Sequence, residues 1–121
     1  DSWLNRLEGR VSQNAADSES QLIAANIKNQ IGSIKTILIA GCASPESVSQ
    51  VAAYLREQLS GIQIVFGGNI LQNADAILKL PECDSIVLVE QCRVSSYSSV
   101  ELEMEKIRDL KKELLGFVVF E

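Results

Sequence analysis

The chain has no histidine among its 121 residues. A histidine-based catalytic triad is therefore excluded, and the commonest zinc-finger ligand sets lose a member. The three cysteines, Cys42, Cys83 and Cys92, include no CxxC pair, which leaves no basis for thioredoxin chemistry. They read as reduced thiols of a cytoplasmic protein. Long apolar runs are missing too. The longest, such as Ile37 to Ala40 and Ile86 to Val89, fall far short of the roughly 20 residues that cross a bilayer. Basic charge is scarce and scattered: 11 Lys and Arg face 16 Asp and Glu, for a net charge of −5. A phosphate-binding face needs concentrated Lys and Arg, so nucleic acid is not an expected partner. No internal repeat or low-complexity tract is present.

What remains is the composition of one ordinary globular domain, 46% hydrophobic and 22% charged. Four runs with little polar alternation suit strands covered on both faces: Thr36 to Ala40, Ile62 to Phe66, Ser85 to Val89 and Phe117 to Phe120. Between them, Pro45 to Leu59 carries Val48, Val51, Ala52 and Leu55 on one helical face. Tyr97 to Leu114 does the same with Tyr97, Val100, Met104, Ile107, Leu110 and Leu114. Ile70 to Leu80 fits a short helix or a turn. Strand–helix alternation of this kind predicts an α/β fold of three layers, with a four-stranded parallel sheet in the order 2-1-3-4 by analogy with doubly wound folds.

Upstream, Trp3, Leu4, Leu7 and Val11 share helical spacing in a candidate partner helix, and 12–17 reads as a polar linker. The domain proper is then 18–121. A second helix is expected to open at a Ser18/Gln21 capping box, to present Ile23, Ile27 and Ile31, and to stop at Gly32. The charges of the last helix, from Glu101 through Glu113, run acid first and base last, as the helix dipole favours. They read as a solvated face without function.

Several segments resemble the bacterial tyrosine kinase (BY-kinase) domains of capsule and exopolysaccharide systems. Lys35 to Gly41 is similar to that family's first strand, and Ile70 to Ile77 with Asp84 to Val89 to the segment after its Walker B strand. Ser98 to Phe120 is similar to its closing helix and strand, where Leu115 to Phe120 stands for a typical LGVVLN. The resemblance implies a P-loop-like nucleotide fold, but the nucleotide residues depart from the pattern. With the GxxxxGK[ST] template begun at Gly41, Glu46 stands for glycine, Ser47 for the lysine and Val48 for the magnesium ligand. No lysine lies between Lys35 and Lys79. Phe66-Gly67-Gly68-Asn69 stands where the Walker B aspartate belongs. Leu22 and Ala25 replace both arginines of the family's E-x-x-R-x-x-R ring motif after Glu19.

The expectation is a non-catalytic degenerate relative without cofactor. It would act by protein contact on the cytoplasmic side of a polysaccharide assembly machinery, with a homo-oligomer as one form open to it. The chain opens at Asp1 without methionine, which suits an excised piece whose membrane association comes from sequence outside it. The expected interaction rim joins Cys42 and Ser44 with Gly67, Gly68, Asn69, Cys92 and Arg93 at the strand ends. The alternative reading is a phosphotransfer domain with Cys42 as phospho-acceptor, since the residue follows a strand and precedes a helix. A phosphatase would need Arg at Val48, and a receiver domain would need an acidic first strand. Neither is present.

Overall fold

The computed structural model describes residues 15–29 and 34–120. Its elements in chain order are α1 (Ala15–Lys28), β1 (Thr36–Ala40), α2 (Pro45–Gln58), β2 (Gln63–Gly68), α3 (Ala74–Lys79), β3 (Ser85–Gln91), α4 (Tyr97–Asp109) and β4 (Glu113–Phe120). A single 3-10 turn, Leu80–Glu82, leads from α3 into β3. The four strands form one sheet in the order β2-β1-β3-β4, and all three pairings are parallel. This is the expected α/β fold with the expected strand order.

Strand alternation divides the core. Ile37, Ile39, Val87 and Val89 face α1 and α2, packing on Ile23, Ile27, Val48, Val51 and Leu55. Leu38, Ala40, Ile86 and Leu88 face α3 and α4, packing on Ala76, Leu80 and Ile107. Burying each Ile or Leu fully is worth about 1.5–3 kcal/mol, so both layers hold the sheet. Because β1 leads into a helix on one face and β2 into a helix on the other, the switch point lies between β1 and β3.

Several element ends differ from the sequence reading: the second strand is Gln63–Gly68, the third runs on to Gln91 and the fourth begins at Glu113. The first described helix starts at Ala15, inside the expected linker, and ends at Lys28, ahead of Gly32. The last helix stops at Asp109, because Leu110 is its cap and Lys111 takes a left-handed φ of 58°. Leu114 therefore belongs to β4, which begins at Glu113. The three-and-four spacing runs on to Leu114 only because an inward strand position follows the helix by coincidence. Trp3, Leu4 and Leu7 lie outside the described residues. No helix among the described residues is long and apolar enough to cross a membrane.

Candidate functional site

The loop from β1 to α2 is the place where a P-loop would present free amides. Here each of its four amides is engaged by the chain itself. Gly41 N–H donates to the Gly68 carbonyl at 2.9 Å, and Ala43 N–H to the Val89 carbonyl at 3.2 Å. Cys42 N–H donates to Glu90 Oε1 at 3.2 Å, and Ser44 N–H to Gln91 Oε1 at 3.3 Å. Ser44 then caps α2, its Oγ accepting from Ser47 N–H, with Pro45 at the first turn. The loop can lie this close to β3 because Gly41 has no Cβ. One added there would stand 2.0 Å from the Val89 carbonyl oxygen.

Behind the loop lies a buried acid pair. Glu90 continues the alternation Ile86, Leu88 and so points into the α4 layer. Glu103 falls on the buried stripe of α4 with Val100 and Ile107. Both glutamates are 0% exposed. Glu90 Oε1 is held by the Ser95 hydroxyl at 2.7 Å as well as by Cys42 N–H. Glu90 Oε2 and both oxygens of Glu103 have no donor. One donor atom from each of Cys42, Glu90 and Glu103 lies within 4.8 Å of the others.

Electrostatics follow from this burial. Desolvation, then hydrogen bonding to Glu90 and its negative charge, push the Glu103 carboxyl up to about 10. A proton on Glu103 gives the pair the hydrogen bond that two carboxylates cannot make. The Cys42 thiol is also pushed strongly upward, by desolvation and then by the charges of Glu103 and Glu90. A reactive cysteine needs the opposite surroundings, cationic and rich in donors. In native protein at pH 8, Cys42 should therefore react with a disulfide reagent at least on the order of tenfold more slowly than in denaturant. Peptide mapping after a timed quench reads this directly, and prompt modification of native Cys42 would contradict it.

The structure brings Cys42 and Ser44 of the expected rim against the end of β3. Gly68 joins them through its carbonyl, at a left-handed φ of 73°. Asn69 works as a turn residue, its Oδ1 accepting from Leu71 N–H. Gly67 lies against the Leu38 side chain. Cys92 is half-buried beside the Val100 and Val119 layer, and its N–H bonds the Phe120 carbonyl. Arg93 is exposed in a turn at φ 71°.

Glu90, Glu103 and Ser95 were not among the expected site residues. Glu103 also corrects the reading of the closing helix as a wholly solvated charge run, since it faces the core. Its signal was the spacing Val100, Glu103, Ile107. Compared with protein-family models, curated proteins and solved structures, the chain matches none.

Proposed function

We propose that this domain is a non-catalytic relative of the BY-kinase fold whose nucleotide site is closed by its own backbone and side chains, leaving protein contact as its work. The observation that carries this reading is the loop after β1. Its four amides bond to Gly68, Glu90, Val89 and Gln91, so none is free to cradle a phosphate. The acid pair buried behind the loop brings no positive charge to a place where a triphosphate would need it. Ser47 in the lysine position and Gly67-Gly68 in place of the Walker aspartate point the same way.

The setting, a polysaccharide assembly machinery with a protein partner on the cytoplasmic side, rests on the segment resemblance alone. Contact would use the apolar side chains left exposed at the α4 side, Val94, Tyr97 and Leu102. The phospho-acceptor alternative is disfavoured by the same acids, which hold the Cys42 thiol protonated. Calorimetric titration with Mg-ATP is expected to give no saturable heat at millimolar nucleotide. Tight, saturable binding would overturn the proposal.

A further inference from the structure

We infer that Cys42, Glu90 and Glu103 form a binding site for one divalent metal ion, with Zn²⁺ the favoured occupant. Three donors of the right chemistry converge from three elements: the loop after β1, the end of β3 and the middle of α4. Independently of that clustering, three carboxylate oxygens of these fully buried side chains are left without a partner unless a proton or another species lies between the acids. Buried polar atoms without a partner are rare in native proteins, and they mark places where another species belongs.

The donor set selects the class of ion. Binding would displace the protons of Cys42 and Glu103 to solvent, and the resulting two carboxylates and one thiolate suit a borderline cation that accepts both sulfur and oxygen. Mg²⁺ and Ca²⁺ favour six or more oxygen ligands, and a thiolate offers them little. Tetrahedral zinc ligands lie about 3.3–3.8 Å apart, given bond lengths of about 2.0–2.3 Å. The donor atoms lie within 4.8 Å of one another, so ligation requires them to draw together by about 1 Å. Glu90 is already oriented for the task. Ser95 and Cys42 N–H hold its Oε1, which leaves Oε2 to ligate. Cys42 is the one partly exposed member, so a water completing the coordination would enter from its side.

This site does not depend on the reading of the β1–α2 loop as a closed nucleotide site, and either can fail alone. The test titrates the chelator-stripped, thiol-reduced chain with Co²⁺ and then displaces it with Zn²⁺. The expected result is one equivalent of Co²⁺ with a near-ultraviolet sulfur-to-cobalt charge-transfer band, lost on adding Zn²⁺. Cys42→Ser should abolish the band. Glu103→Gln and Glu90→Gln should each weaken Zn²⁺ affinity on the order of 100-fold, with circular dichroism confirming the fold of each variant. The wild-type spectrum needs no variant, so misfolding of a substituted chain cannot hide the answer. Absence of the band in folded wild type overturns the inference, and so does a band that survives Cys42→Ser, which would place the ion on Cys83 or Cys92. Zn²⁺ affinity unchanged in Glu103→Gln overturns it as well.

Discussion

Gly41→Ala is expected to lose about 3–5 kcal/mol of folding stability, enough to leave a marginal domain largely unfolded. The new methyl would stand 2.0 Å from the Val89 carbonyl oxygen and 2.7 Å from the Val89 carbonyl carbon and amide nitrogen. Those atoms belong to a central strand paired on both sides, so they cannot move away. Gly41 also sits at φ 143°, where an L side chain adds backbone strain. Gly61→Ala is the control. Its φ of 80° carries the strain, but its Cβ would meet nothing within 4 Å. It should lose only about 1 kcal/mol. Urea denaturation followed by circular dichroism separates the two. Equal losses would mean that the loop is not pressed onto β3, and the closed-site proposal would lose its footing.

The sheet was legible because each strand run lacks polar alternation. Thr36 to Ala40 and Ser85 to Val89 suit strands buried on both faces, and the helical patterns between them suit parallel crossovers. The end of α4 was not legible. Leu110 and Leu114 extend a helical spacing that a left-handed Lys111 interrupts, and no residue type there announces the turn. The site was half legible. Glu90 extends Ile86 and Leu88 by two, and Glu103 lies three after Val100 and four before Ile107, so each carboxylate occupies a core position by spacing. Among Glu101, Glu105 and Lys106, however, one more glutamate passes for surface. That the two acids meet each other and Cys42 follows only from strand order and from the helix layer above β3. A one-dimensional pattern does not contain that information.

The acid pair makes the metal-free protein unusually sensitive to rising pH. Glu103 titrates at about 10 when folded, against an ordinary 4.5 once unfolded and solvated. Between those values the folded chain keeps a proton that the unfolded chain has released, so unfolding is favoured as pH rises. The group costs no stability below pH 4.5, and the loss accumulates through the interval at up to about 1.4 kcal/mol per pH unit. In chelator, wild type should therefore melt roughly 14 °C lower at pH 8 than at pH 5.5, at about 4 °C per kcal/mol for a chain of this size. Cys42 does not contribute in that window, because its ordinary value of 9.0 already lies above it and burial moves it further up. Glu103→Gln has no proton to lose, and its amide can donate to the unpartnered Glu90 Oε2. That variant should hold its melting temperature across the same range and exceed wild type at pH 8. Parallel profiles for the two proteins would show that Glu103 is not desolvated, and the buried acid pair would have to be abandoned.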